Sequence, residues 1–283
     1  MTKIHSSLGR GALFALTLSL AFLALSLTGC DRIRSATRSL SKALHPAGEK
    51  AHVAARSQRT PAADSPRLAI ILDDLGNDRA DADAIFALPY SLTLSILPHH
   101  AHSAEIAEEA HRRGYQVMLH LPMQALGSET SESQELHPGM TSAEVSRVLG
   151  EMLEDVPHAV GVNNHQGSRA TSDAALMAEL MPNLRERNLF FIDSRTTAAT
   201  VAFDTARRDG VQCAFRNVPF LDDVQEVGAI RSQLEHAIRS ALEKGQAVAI
   251  GHPHPETLQA LRELLPMAEA QGVHLVRASD LVH

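Results

Sequence analysis

The chain has 283 residues, 44% of them hydrophobic and 21% charged, which is enough apolar material to bury a substantial core in one domain. Its net charge of −7 is unevenly distributed, because residues 1–30 carry +2 and residues 31–66 carry +4, leaving −13 on residues 67–283. So acidic a domain excludes nucleic acid as the expected partner, since phosphate backbones are bound through neutralising Lys and Arg.

At the start of the chain, Lys3 and Arg10 precede an uncharged apolar run over residues 11–27 that ends in Leu-Thr-Gly-Cys at 27–30. This is the order of a secretory signal. Small residues before a cysteine match the box at which lipoprotein precursors are cleaved, so residues 1–29 read as a signal peptide and Cys30 as the lipidated first residue. The other reading is an uncleaved anchor, at the lower limit of length for spanning a bilayer. Either one puts the domain outside the cytoplasm. Asp31 resembles an inner-membrane retention signal, so the expected location is the periplasmic face of the inner membrane, with lipid on Cys30 as the membrane contact.

Residues 30–66 read as a basic linker, either solvated or partly a helix lying on anionic headgroups. The only other cysteine, Cys213, then has no partner for a disulfide and reads as a small buried residue.

From residue 67 onward, short apolar runs alternate with helical patterns. Strands are expected near 67–73, 91–97, 115–120, 158–163, 189–193, 246–251 and 273–277. Helices are expected near 78–87, 102–113, 141–154, 172–187, 226–244 and 255–271. Thr141 and Glu144 have capping-box spacing, and Pro255 suits a first helical turn. This alternation predicts an α/β domain over residues 67–283 with about seven mainly parallel strands.

Polar residues recur at the ends of these strands: Asp73 and Asp74, His120, Asn163-Asn164-His165, Asp193-Ser194-Arg195, and His252 after Gly251. In a closed or nearly closed parallel barrel such ends converge on one face, where residues distant in sequence can form a site. Two adjacent carboxylates can divide their work, one binding metal while its neighbour faces water or substrate. Neutral imidazoles with a carboxylate suit zinc or another first-row divalent ion and leave a position open for water and substrate. No Gly-x-Ser-x-Gly motif supports a serine hydrolase.

Five blocks in order carry a resemblance to the divergent polysaccharide deacetylases, relatives of the NodB-like carbohydrate esterases. They are Ile-Leu-Asp-Asp-Leu-Gly at 71–76, Leu-His-Leu-Pro-Met at 119–123, Gly-Val-Asn-Asn-His-Gln-Gly-Ser at 161–168, Phe-Ile-Asp-Ser-Arg-Thr-Thr at 191–197 and Gly-His-Pro-His-Pro at 251–255. The resemblance implies a distorted NodB-like (β/α) barrel and a metal-dependent hydrolase that removes acyl groups, chiefly N-acetyl, from an envelope polysaccharide or peptidoglycan-like glycan.

Carried over residue by residue, it makes Asp73 the catalytic base, Asp74 and His120 metal ligands, and His252 the general acid. Zinc is the first expectation for the metal. The NodB-like pattern has a second histidine four residues after the first, where this chain has Gln124, and His165 is inferred to take that ligand's place. Asp193 is expected either to orient His252 or to pair with Arg195. Arg216 and Asp222 match the family pattern only loosely. The alternative is a non-catalytic glycan- or protein-binding lipoprotein on the same fold, a reading that Gln124 and the absence of Trp favour.

Overall fold

The computed structural model describes residues 65–90, 92–127 and 132–283. The expected signal segment, Cys30 and the linker as far as residue 64 lie outside the described residues.

The elements run β1 (Arg67–Leu75), α1 (Arg79–Phe86), β2 (Thr93–Ile96), α2 (Ser103–Arg112), β3 (Gln116–Met123), α3 (Ser142–Asp155), β4 (Gly161–Gln166), α4 (Ala174–Glu186), β5 (Phe190–Asp193), α5 (Ala202–Arg208), β6 (Cys213–Phe215), α6 (Val227–Lys244), β7 (Gln246–Gly251), α7 (Pro255–Ala270) and β8 (His274–Val276). Every pairing is parallel, in the order β6-β5-β4-β3-β2-β1-β7. The chain after β6 closes the ring along β7: the Asn217 and Leu221 N–H groups donate to the carbonyls of Val248 and Ile250, and Asn217 Oδ1 accepts the Val248 N–H at 2.9 Å. The result is a nearly closed barrel of seven parallel strands. β8 pairs only with the first residues of β1, below the point where β2 joins the same edge.

Two expectations are corrected. Sequence reading anticipated neither β6 nor α5, each of three to seven residues and too short to show a period. The strand expected near 273–277 lies outside the seven-membered ring.

Residues within each strand alternate between two cores. Leu68, Ile70 and Leu72 of β1 pack outward with the helices, whereas Ala69 and Ile71 pack inward with Met118, Phe190, Ile192, Ala214, Val248 and Ile250. Ala278 and Leu281, from a final 3-10 turn, belong to the same inner cluster, so the barrel is filled rather than hollow. The helix starts follow the sequence signals. Thr141 and Glu144 form a reciprocal capping box, a motif whose removal costs about 1 kcal/mol, and Pro255 occupies the first turn of α7.

Candidate active site

The inward phase of the strands selects the side chains that reach the C-terminal mouth of the barrel. Asp73 follows Ala69 and Ile71, His120 follows Met118, and His252 follows Val248 and Ile250. Asn163 and His165 share the corresponding face of β4.

Asp74 would point outward by the same rule, but the register between β1 and β2 shifts between Leu72 and Leu75, and Asp74 takes φ +60°. Such a bulge at a barrel rim re-aims a side chain, and aspartate enters this backbone region more readily than most residues. Gly76, at φ +129°, continues the turn where an added Cβ would lie 2.9 Å from the Leu97 carbonyl oxygen.

Asp73 and His120 are 2% exposed and meet through Asn163. Asn163 Nδ2 donates to both oxygens of Asp73, at 3.0 and 3.1 Å, and to Ser194 Oγ. Its Oδ1 accepts from Ser95 Oγ and faces His120 Nδ1 at 3.0 Å. With the amide oriented by Asp73, His120 must donate from Nδ1, so its neutral form carries the lone pair on Nε2. Burial raises the pKa of Asp73 above the usual carboxylate range, outweighing the opposing charges of His120 and His252.

His120 Nε2 lies 3.1 Å from Asp74 Oδ1 and 3.1 Å from His165 Nδ1, and His165 Nδ1 lies 2.9 Å from the same Asp74 oxygen. Despite these short distances Asp74 Oδ1, a buried atom, has no aligned hydrogen-bond partner. Three ligand-type atoms therefore face one another around a carboxylate oxygen that the protein does not satisfy. Burial would raise the pKa of Asp74, but the facing imidazoles of His120 and His165 hold it well below the usual carboxylate range.

His252 stands across the mouth, its Nε2 3.6 Å from Asp74 Oδ2. Asp222 holds it on the other side: the His252 backbone N–H donates to Oδ2 at 2.6 Å, and Nδ1 lies 2.9 Å from Oδ1. Thr257 Oγ1 also donates to Oδ2. Gly251 lets the two segments approach, since a Cβ there would stand 3.2 Å from that oxygen. Burial opposes protonation of His252, but Asp222, with help from Asp73 and Asp74, outweighs it and raises the pKa to about 9.

Of the two expectations for Asp193, orienting His252 is corrected, and the structural contact with Arg195 is made through the Arg195 backbone. Asp193 follows Phe191, which packs in the outer core, so its carboxylate turns away from the mouth. It accepts from the backbone N–H of Arg195 and of Phe203 and from Thr200 Oγ1, and is fully buried. The guanidinium of Arg195 lies instead over the ring of Phe215. Asp222, the weaker candidate in sequence, is the partner of His252.

Arg216 donates to the backbone carbonyls of Ser194, Arg195 and Val218, tying the ends of β5 and β6 together. Gln124 engages the fold through its backbone: its N–H donates to Leu136, and its carbonyl accepts from Arg169 and Ala170. Sequence reading also gave no role to Asn163 or Ser95, whose positions two residues before His165 and within an apolar strand were the available signals. Cys213 is buried, and burial pushes its thiol up to about 11, as suits an inert core residue.

Comparison with known proteins shows the family and the fold. The family model described as divergent polysaccharide deacetylase matches residues 70–282. The uncharacterized protein YibQ of Escherichia coli K12 is 38% identical over 217 residues, covering 77% of this chain and 67% of that protein. An uncharacterized protein of Haemophilus influenzae is 39% identical over 196 residues, covering 69% of this chain and 70% of its own length. Among solved structures, the uncharacterized protein ATU2773 from Agrobacterium tumefaciens aligns with a TM-score of 0.74 at 22% identity, covering 82% of this chain and 95% of that one. A mutant of the Bacillus anthracis protein BA3943, a CE4 family pseudoenzyme with restored enzymatic activity, shares the fold at a TM-score of 0.51 and 11% identity, covering 77% of this chain and 67% of that one.

Proposed function

Because the chain belongs to the divergent polysaccharide deacetylase family, we propose that it is a metal-dependent hydrolase that removes acyl groups, chiefly N-acetyl, from an envelope glycan. The observation that carries this reading is the convergence of Asp74 Oδ1, His120 Nε2 and His165 Nδ1 within 3.1 Å of one another, with the carboxylate oxygen buried and unsatisfied. One carboxylate and two imidazoles fit a first-row divalent ion, zinc foremost, with room left for substrate. His165 supplies the ligand that Gln124 does not. When bound, the ion polarises the acyl oxygen and lowers the pKa of a water molecule.

The remaining steps fall to the protein's own groups. Asp73, oriented by the Asn163 amide and made more basic by burial, takes the proton of the attacking water. His252, with Nδ1 committed to Asp222, delivers the Nε2 proton to the leaving nitrogen or oxygen. The export signal and the lipobox at Cys30 support an envelope substrate and a membrane-tethered enzyme.

The test is acetate release from N-acetylglucosamine oligomers and peptidoglycan fragments, with and without chelator. The expected result is release that chelation stops and zinc restores, reduced about 10²–10⁴-fold in Asp73→Asn. Unchanged turnover in that variant would defeat the assigned roles. The second reading, a glycan binder without catalysis, is favoured by Gln124 and would be selected by saturable glycan binding with no acyl release at any metal concentration.

A further inference from the structure

We propose that Glu132, through its Oε1 3.9 Å from His165 Nε2, is the positioning residue that commits His165 to offer Nδ1 as a ligand, with His100 holding Glu132 in place. This rests on the metal-site reading above and extends it to a residue outside any recognisable motif.

An imidazole presents a lone pair at one nitrogen only when its proton is on the other. Asn163 settles this for His120. His165 lies on a different strand from the ligand it replaces, and its Nδ1 faces Asp74 and His120, so its proton belongs on Nε2. Glu132 faces that nitrogen with one carboxylate oxygen, while the other lies 3.2 Å from His100 Nε2. At 3.9 Å the contact with the neutral His165 ring is too long for a direct hydrogen bond and suits one bridging water. A carboxylate facing the non-ligating nitrogen fixes both tautomer and ring orientation in metal sites, and losing it typically weakens metal binding about 10–100-fold.

The segment carrying Glu132 is anchored on three sides. The Leu136 N–H donates to the Pro122 carbonyl and the Gln124 N–H to the Leu136 carbonyl, fastening the segment to the end of β3. The side-chain amide of Gln134 donates to Glu151 on α3 and faces His99 Nε2 with its oxygen. His99 and His100 both belong to the loop after β2, so that loop, β3 and α3 together set the position of Glu132. In sequence the residue sits within Ser-Glu-Thr-Ser-Glu-Ser-Gln-Glu at 128–135, where no spacing marks one glutamate above another.

The experiment is a competition titration of zinc against a chromophoric chelator, on the full chain, for wild type, Glu132→Ala, Glu132→Gln, His165→Ala and the double variant Glu132→Ala/His165→Ala. The expected result is a Kd raised about 10–100-fold in Glu132→Ala and less in Glu132→Gln, whose amide oxygen still accepts through the same bridging water. Glu132→Ala is expected to add nothing once His165 is gone. Equal zinc affinity in wild type and Glu132→Ala overturns the proposal while leaving the metal site standing, as does an equal weakening in the His165→Ala background. A variant that lowers the Tm of the metal-free protein without moving Kd has a structural role only and also overturns it. Wild type that binds no zinc overturns the metal-site reading itself.

Discussion

The two sides of the barrel mouth are built on different terms. Around His252, every oxygen of Asp222 has a donor: the backbone N–H of His252, its Nδ1, and Thr257 Oγ1. Around Asp74, three ligand-type atoms crowd together and leave a buried carboxylate oxygen without a hydrogen bond. The first side is complete within the protein, whereas the second leaves one carboxylate oxygen unsatisfied, which is where the proposed metal would bind. The difference separates the groups to which the proposed function gives acid–base roles from those to which it gives the metal, a distinction that residue type alone does not make.

Separating the two sides by mutation is the strongest way to break this comparison. Asp74→Ala is expected to abolish stoichiometric zinc binding and turnover together. His252→Ala is expected to keep the metal and lose about 10²–10⁴-fold in kcat. Elemental analysis beside acetate-release kinetics reads both, and loss of zinc from His252→Ala would merge the two sides into one.

The next largest effect contrasts Asp193 with the site it was expected to serve. Its buried carboxylate holds two backbone N–H groups and a hydroxyl, and hydrogen bonds to a charged group each contribute about 1.5–3 kcal/mol. Asp193→Ala should therefore lower stability in denaturant by at least that amount while the folded fraction keeps its zinc affinity. A catalytic defect at full stability would return Asp193 to the mechanism.

The smallest effect is a pH dependence of the metal-free protein. The pKa of His252 is raised from 6.5 to about 9, so the stabilisation from its charged pairing is fully present below pH 6.5 and is lost as pH rises through about 9. Asp222→Asn should flatten that part of the stability–pH curve, as measured by thermal melts in chelator. A slope unchanged from wild type would mean that the pair does not set the titration of His252.

The α/β class, the parallel order and the strand-end position of Asp73, Asp74, His120, His165 and His252 could be read from sequence, because apolar runs and helical periods alternate regularly from residue 67. The choice between Asp193 and Asp222 could not. β5 reads Phe-Phe-Ile-Asp and is buried on both faces, so no polar alternation reveals which residues point inward. Nor did β6, with three residues, show that the chain beyond it returns along β7 and delivers Asp222 beside His252. The re-aiming of Asp74 depends on a bulge visible only in the pairing register, and Glu132 arrives from a polar segment that carries no periodic signal.

The proposed metal site places one divalent ion between Asp74, His120 and His165. X-ray absorption at the zinc edge of the zinc-loaded protein tests it most directly, by counting the imidazoles around the metal. One zinc per chain with two histidine ligands is expected, falling to one in His165→Ala. The same ligand count in wild type and His165→Ala, or a wild type that takes up no zinc, would contradict it.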